Sequence, residues 1–310
     1  MAAAGHLLDV DDLDGQALQE ILESAESMAE ILARPIPRVP ALRGRTVMLL
    51  FYEASTRTRH SFELACKALG ADSLSLAAAS SSVAKGESLT DTVRTCRAMG
   101  ADAVVLRHPA SGAAHLAAGL GLLPVINAGD GTHAHPTQAL LDVFTVRRRR
   151  GAIAGLRVAI VGDILHSRVA RSSARAFRRL GAEVVLCGPP TVLPAEAGPA
   201  LDVNVCHTLA EALRGADVVM ALRIQRERQD GGLLPSAAEY RAGWGLDVAR
   251  LETLCPGALL LHPGPVNRGV ELAPELLTAA ASAVDDQVRS GVAVRMAVLY
   301  RLLEGRAGAA

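Results

Sequence analysis

Residues 46–59 read TVMLLFYEASTRTR and contain the pattern on which the fold prediction rests. The run from Thr46 to Tyr52 is short and largely apolar, which is typical of a buried parallel strand. A helix is predicted to follow from about Arg57 to Leu69. The N-terminus of a helix leaves backbone N–H groups unpaired and carries partial positive charge, so it binds anions readily.

The residues at the start of this predicted helix favour phosphate over other anions. Three hydroxyls and two guanidiniums, matched to phosphate oxygens, follow the strand directly: Ser55, Thr56, Arg57, Thr58 and Arg59. The alternative is an ordinary Ser/Thr helix cap flanked by surface arginines. Five consecutive donors after a buried strand favour the phosphate site.

Outward from this stretch, short apolar runs alternate with helical segments along the whole chain. The predicted strands are 46–52, 71–76, 103–106, 122–126, 157–161, 183–187, 217–222 and 258–261. This alternation predicts an α/β fold with two doubly wound parallel-sheet domains. Ligands of such sheets bind beyond the carboxyl ends of the strands, so we expect an interdomain active-site cleft. The pattern alone leaves open which half carries the last helix, predicted over 284–303.

Cationic and polar residues follow several of the predicted strands. Arg107 follows the strand 103–106, Arg168 starts the helix after 157–161, and Arg223 with Gln225 follows 217–222. Lys85, one of only two lysines, lies in a serine-rich loop. A net-neutral protein that gathers so many cations at strand ends is expected to bind phosphate together with one or more carboxylates.

The segment after the strand 122–126 contains paired histidines at the start of a helix. His133 and His135 could suggest a metal site, but no carboxylate or cysteine cluster at ligand spacing accompanies them, so no metal is expected. His135 and Gln138 instead suit hydrogen bonding to a carbonyl or an amide. The second half lacks the glycine fingerprint of a dinucleotide site, because Gly162 has no glycine two residues later.

Composition excludes several other classes of function. Acidic and basic residues balance at 32 each, so the chain has no net charge that would attract nucleic acid or a membrane surface. The five scattered cysteines are expected to be reduced core thiols, and the first residues lack the features of a signal peptide. A cytoplasmic protein is therefore expected.

The motif Ser55-Thr56-Arg57-Thr58-Arg59, paired with His135-Pro136-Thr137-Gln138, resembles the aspartate/ornithine carbamoyltransferase family from about Leu7 to Leu303. The segments 223–228 and 262–265 are similar to the aspartate-specific members. The resemblance implies transfer of the carbamoyl group of carbamoyl phosphate to the amine of L-aspartate, without a cofactor, in de novo pyrimidine (UMP) biosynthesis.

The resemblance also implies a role for each matching residue. Phosphate contacts are implied for Ser55, Thr56, Arg57 and Thr58, carbonyl contacts for Thr56, Arg107 and His135, and carbamoyl-amide contacts for Gln138, Pro263, Gly264 and Pro265. Aspartate contacts are implied for Lys85, Arg168, Arg223 and Gln225. Ser81 and Lys85 match a loop that reaches a neighbouring subunit's site, so a homotrimer is implied.

Domain limits follow from the same resemblance, with 1–138 plus 290–310 binding carbamoyl phosphate and 139–289 binding aspartate. Whether the trimer joins regulatory or dihydroorotase-like chains stays open, as do allosteric regulation and the group that deprotonates the aspartate amine. Three alternatives remain at this point: an ornithine carbamoyltransferase, a non-catalytic carbamoyl-phosphate-binding homologue and an NAD-dependent dehydrogenase.

Overall fold

The computed structural model describes residues 5–77, 86–225, 233 and 236–304. The chain divides into two compact units. The first comprises Met1–Leu141 and Val288–Ala310, and the second is Asp142–Gln287. Among the described residues, no helix is long and apolar enough to cross a membrane.

The first unit contains a parallel sheet with the strand order β2-β1-β3-β4 in the part of the chain that the structure describes. Its strands are β1 (Thr46–Phe51), β2 (Asp72–Ala77), β3 (Ala103–His108) and β4 (Val125–Asp130). Its helices are α1 (Gly15–Leu32), α2 (Thr56–Leu69), α3 (Leu89–Ala98) and α4 (Ala113–Gly119), after a short 3₁₀ turn at Val10–Asp12. The predicted parallel sheet is confirmed here.

Burial on both faces explains why the strands of this sheet have continuous apolar runs. Leu49 and Leu50 in β1, Val105 in β3 and Ile126 in β4 are fully buried. Full burial of one such side chain contributes roughly 1.5–3 kcal/mol relative to exposure. The order of strands places β1, β3 and β4 side by side, so the loops that leave their carboxyl ends lie along one edge.

Two predicted strands, β3 and β4, differ from the observed ones by more than one residue at an end. β3 was predicted to end at Leu106 but continues through Arg107 to His108, because His108 still pairs with Asp130 of β4. β4 was predicted over 122–126 and instead covers Val125–Asp130. Both predictions followed apolar side chains, whereas the ladder depends on backbone groups and continues through polar residues.

The second unit contains a parallel sheet with the order β7-β6-β5-β8-β9 among its described residues. The strands are β5 (Arg157–Val161), β6 (Glu183–Cys187), β7 (Asn204–Cys206), β8 (Val218–Ala221) and β9 (Leu259–Leu261). The helices α6 (Arg168–Arg179), α7 (Ala197–Leu201), α8 (Leu209–Leu213), α9 (Ala237–Trp244) and α10 (Val248–Leu254) flank it, with 3₁₀ turns at Pro190–Val192 and Pro274–Leu277.

Two further helices pass from one unit to the other along the chain. The helix α5 (Pro136–Arg150) begins in the first unit and ends in the second. The helix α11 (Val284–Glu304) returns the chain to the first unit. There the guanidinium of Arg295 lies 5.2 Å from the ring centre of Phe62 in α2. Arg301 donates to Glu20 of α1 at 2.6 Å.

Candidate active site

The start of α2 has the features of an anion site. Ser55 precedes the helix in an extended conformation (φ −161°, ψ 101°), and its side chain makes no capping hydrogen bond. No acidic residue lies in the first turn, which carries Thr56 and Arg57 exposed and Thr58 buried. The first N–H groups of α2 therefore lie in a turn that also carries hydroxyl and guanidinium side chains, and negative charge is favoured there.

Arg59 differs from the other residues of this motif because it forms an ion pair within α2. Its Nε lies 3.7 Å from a carboxylate oxygen of Glu63, one turn further along. Such pairs on a helix surface contribute about 0.3–0.5 kcal/mol. The position of Arg59 therefore favours a supporting role in the helix.

Arg107 lies at the carboxyl edge of the first sheet and connects three adjacent strands. Its Nη2 donates to Oε1 of Glu53, in the loop after β1, at 3.0 Å. Its Nη1 donates to the carbonyl of Ala128 in β4 at 3.3 Å. The side chain is only 12% exposed. A partly buried guanidinium held on two sides keeps a fixed direction, so it can present further donors to a ligand oxygen.

Glu53 was not among the residues singled out from the sequence. Its signal was its place directly before the phosphate motif, where a carboxylate is unexpected beside an anion. The structure gives the reason, because Glu53 compensates the charge of Arg107.

His135 and Gln138 mark the beginning of α5, beyond β4. The carbonyl of His135 accepts from the N–H groups of Gln138 at 3.0 Å and Ala139 at 3.2 Å, so His135 is the residue that precedes the helix. His135 is 4% exposed and Gln138 is 8% exposed. Both side chains are therefore held at a strand edge, at the beginning of a helix.

The turn that leads to His135 is organised by the fully buried carboxylate of Asp130. Asp130 accepts hydrogen bonds from Gly112 N at 2.7 Å, Asn127 Nδ2 at 2.8 Å and Ala134 N at 3.2 Å. The loop that carries His135 is thus fixed by several donors to one carboxylate.

Arg168 lies in the second unit, at the beginning of α6 after β5. The hydroxyl of Ser167 caps this helix by accepting from Ala170 N at 3.0 Å. Arg168 is 3% exposed. The guanidinium of Arg171 donates to the carbonyl of Leu165 at 3.0 Å, which holds the preceding loop. Arg168 is therefore a buried cation at the start of the helix that follows β5, the position that the sequence predicts.

Gly162, which precedes this helix, serves close packing. Its φ is 134°, and a Cβ atom there would lie 3.0 Å from Cβ of Leu222 and 3.2 Å from the hydroxyl of Tyr240. The positive φ and the missing space both require glycine at this position.

Arg223, Ile224 and Gln225 follow β8 and are tied to the loop after β9 by a buried carboxylate. Glu271, 1% exposed, accepts from Ile224 N at 2.8 Å. It also accepts from Asn267 N at 2.7 Å and Asn267 Nδ2 at 2.6 Å. Burial raises the pKa of the Glu271 carboxyl, and these hydrogen bonds oppose the rise.

The segment Pro263-Gly264-Pro265 lies at the same strand edge, after β9, because β8 and β9 are neighbours. Gly264 N donates to Nδ1 of His262 at 2.8 Å, and His262 N donates to Oε1 of Gln287 at 2.9 Å. His262 is buried and fixes the path of the two prolines. This segment offers backbone carbonyls from a rigid loop.

Each unit therefore brings its own predicted residues together at one sheet edge. In the first unit, the start of α2 follows β1, Arg107 lies near the end of β3, and His135 and Gln138 follow β4. In the second, Arg168, Arg223, Gln225 and residues 263–265 follow the adjacent strands β5, β8 and β9. The predicted residues Ser81 and Lys85 lie outside the described residues.

The parallel sheets and the donor-rich strand ends define an α/β enzyme that handles a phosphorylated substrate together with carboxylates. Sequence comparison agrees. The aspartate/ornithine carbamoyltransferase carbamoyl-P binding domain matches residues 5–148, and the Asp/Orn binding domain of the same family matches residues 154–302. The chain belongs to the aspartate/ornithine carbamoyltransferase family.

Individual relatives are similar over nearly the whole chain. The chain is 56% identical over 302 residues to the aspartate carbamoyltransferase catalytic subunit of Pelotomaculum thermopropionicum, covering 96% of each protein. It is 54% identical over 300 residues to the same subunit of a Roseiflexus species, covering 96% of this chain and 94% of that one.

Solved structures show the same fold. The aspartate transcarbamoylase of Trypanosoma cruzi in complex with carbamoyl phosphate and aspartate is 28% identical with a TM-score of 0.88, and the alignment covers 96% of this chain and 97% of that one. The catalytic subunit of the M. jannaschii aspartate transcarbamoylase is 36% identical with a TM-score of 0.85, covering 98% of this chain and 99% of that one.

Proposed function

We propose that the chain is the catalyst that transfers the carbamoyl group of carbamoyl phosphate to the amine of L-aspartate, giving N-carbamoyl-L-aspartate and phosphate. This is a step of de novo pyrimidine biosynthesis. The relatives at 54–56% identity bear the name of this enzyme. The observation that carries the proposal is Arg107, held between Glu53 and Ala128 at the sheet edge from which the donor-rich start of α2 also leaves.

The first unit binds carbamoyl phosphate in this proposal. The phosphate group of this substrate lies at the start of α2, where Ser55, Thr56, Arg57 and Thr58 supply hydrogen-bond donors. The uncapped N–H groups and the absence of an acid in that first turn support this assignment. Arg57 is exposed and can turn toward the phosphate as a bidentate donor.

Catalysis follows from donors directed at the carbamoyl carbonyl. The neutral amine of aspartate attacks the carbamoyl carbon, the carbonyl oxygen gains negative charge, and the C–O bond to phosphate then breaks. Thr56, Arg107 and His135 stabilise the oxyanion, with His135 as a hydrogen-bond donor. One preorganised donor of this kind lowers the barrier by about 3–4 kcal/mol in enzymes where it was removed.

The amide end of the carbamoyl group needs acceptors, and the aspartate needs cations. Gln138 and the backbone at Pro263, Gly264 and Pro265 contact the carbamoyl amide. The second unit binds aspartate, with Arg168 on the α-carboxylate and Arg223 with Gln225 on the β-carboxylate. Two arginine sites suit a dicarboxylate, whereas ornithine would need an acid for its side-chain ammonium.

The assembly and the location are also part of the proposal. We infer a homotrimer in which Ser81 and Lys85 reach a neighbouring subunit's site, with Lys85 also contacting aspartate. A cytoplasmic location is inferred, and it agrees with the lack of a membrane-spanning helix among the described residues. Association with regulatory or dihydroorotase-like chains would add to this trimer without changing its chemistry.

The direct test is purified protein with carbamoyl phosphate and either aspartate or ornithine, scored for the ureido product. Product from aspartate alone is expected. Product from ornithine alone would reverse the specificity, and no product from either amine would indicate a binding protein. Arg57→Ala is expected to lower turnover by at least about 10²-fold. Arg59→Ala, two residues further along and in the ion pair with Glu63, should lower turnover far less.

A further inference from the structure

A cluster of metal-ligating side chains lies in the first unit, beside the loop that leads to His135. Donor atoms of His115, Asp130 and His133 lie within 4.8 Å of one another. The imidazole rings of His115 and His133 are 5.4 Å apart, centre to centre, at an angle of 66°. From the sequence, His133 was considered together with His135 and no metal was expected; in the structure, His133 lies beside His115 and Asp130.

We propose that His115, Asp130 and His133 form a binding site for a divalent transition-metal ion of the Zn²⁺ type. Imidazole nitrogen and carboxylate oxygen are the ligands that Zn²⁺ takes from proteins, at about 2.0–2.2 Å. Three protein ligands and a water molecule complete a tetrahedron, and the exposed side chain of His115 leaves room for the water.

The distances fit with a small adjustment. Around a tetrahedral ion with such bond lengths, donor atoms are roughly 3.4 Å apart. Nδ1 of His133 already lies 3.1 Å from both carboxylate oxygens of Asp130. The separations to His115 are at most 4.8 Å, so this side chain needs only a small inward movement, which an exposed residue in the first turn of α4 can make by rotation.

The surroundings of the three residues support a metal. Asp130 is fully buried and is oriented by hydrogen bonds from Gly112 N and Asn127 Nδ2. On the other side of the ring, Nε2 of His133 lies 3.5 Å from Oδ2 of Asp9. A carboxylate on this side of the ring favours the tautomer with its proton on Nε2, in which Nδ1 can bind metal.

Charge also favours a cation at this place. Asp9 is 6% exposed and Asp130 is 0% exposed, and both carboxylates face the same imidazole. A divalent ion beside these two buried carboxylates offsets their negative charge. Bound metal would link α4, the end of β4 and the loop before α5, so it would stiffen the segment that ends at His135.

The experiment uses the full chain without a histidine tag, first treated with EDTA and then dialysed against Zn²⁺ or Co²⁺. We expect one ion per chain by elemental analysis, and Co²⁺ should give the strong visible absorption of four-coordinate geometry. His115→Ala and His133→Gln should each weaken binding at least tenfold. His60→Ala is the matched control, because His60 is an exposed histidine on α2 that pairs with the carboxylate of Glu63.

A second measurement separates metal binding from loss of the fold. Added Zn²⁺ should raise the melting temperature of the wild-type chain and of His60→Ala, because an ion that binds only the folded state stabilises it. The shift should vanish in His115→Ala, whose substitution lies on the surface. Equal metal affinity in the wild type and both cluster variants, or no bound metal at submillimolar Zn²⁺, would overturn the proposal. Neither readout depends on carbamoyl transfer.

Discussion

The guanidinium of Arg107 donates to the carboxylate of Glu53 across 3.0 Å, from β3 to the loop after β1. Glu53 thereby sets the direction of the residue that we assign to the carbonyl oxygen. Arg107→Ala is expected to lower kcat about 10²- to 10³-fold. Glu53→Ala should lower kcat roughly tenfold, because Arg107 then lacks this hydrogen bond. Glu53→Gln should lower kcat less, because its amide oxygen can still accept a hydrogen bond from Arg107. Steady-state kinetics measure all three.

Glu20→Ala is the control for this pair. Glu20 of α1 also accepts from an arginine, Arg301 of α11, at 2.6 Å, but neither residue belongs to the proposed site. It should leave kcat close to the wild-type value. Equal turnover of Glu53→Ala and Glu20→Ala would show that Glu53 does not position Arg107.

Substitution of Arg168 should affect aspartate and not carbamoyl phosphate. A charge-assisted hydrogen bond contributes about 1.5–3 kcal/mol, so Arg168→Ala is expected to raise the KM for aspartate about 10- to 100-fold. The KM for carbamoyl phosphate should change little. Arg179→Ala, at the exposed end of the same helix, is the control. A larger effect on carbamoyl phosphate than on aspartate would contradict the assignment.

Glu271 predicts a pH dependence of stability. Its carboxyl pKa is raised from 4.5 by burial, so between 4.5 and the higher folded value the folded chain binds more protons than the unfolded chain. The Glu271 contribution to the free energy of unfolding therefore falls as pH rises through this interval and is constant above it. Melting temperatures of the wild type and of Glu271→Gln, measured from about pH 4.5 to pH 8, isolate the contribution of the Glu271 carboxyl to stability.

The difference in melting temperature, wild type minus Glu271→Gln, should thus shrink as pH rises and then level off. The amide introduced by Glu271→Gln also places an N–H group against the N–H donors of Ile224 and Asn267. This lowers the free energy of unfolding by about 1–3 kcal/mol at every pH. A difference that grows with pH would mean that the folded carboxyl is not destabilised by burial.

The cysteines should resist modification while the chain is folded. All five are free and buried, as the sequence predicted for core thiols. Burial raises the pKa of the Cys66 and Cys187 thiols to about 12, so few thiolates exist at pH 8. A chromogenic thiol reagent should react negligibly with native protein and with five thiols per chain in guanidinium. Fast reaction of one thiol in native protein would contradict this.

The sequence predicted the elements whose signals are local. Runs such as 157–161 and 183–187 coincide with β5 and β6, because strands buried on both faces need apolar residues throughout. The helix starts at Thr56 and Arg168 were also visible, since each follows such a run. Cations at carboxyl strand ends then became candidates by topology alone.

Contacts between distant parts of the chain could not be predicted in this way. Glu53 and Arg107 are 54 positions apart, and Glu271 and Ile224 are 47 apart. Nothing local marks either carboxylate as the partner of a particular loop. The helix α4 was also missed, because its seven residues AAHLAAG give no clear amphipathic period. Because His115 lies on α4, its contact with His133 could not be predicted either.

The order in which the two units can be completed during synthesis follows from the path of α11. The second unit is one continuous segment, Asp142–Gln287, whereas the first needs Val288–Ala310 as well. Val294, Met296 and Leu299 of α11 are buried and belong to that first unit. A ribosome therefore releases a complete second unit while the first still lacks a helix of its core. Until α11 emerges, the apolar surface that it covers is open to chaperones. The first unit, whose synthesis begins first, is therefore completed after the second.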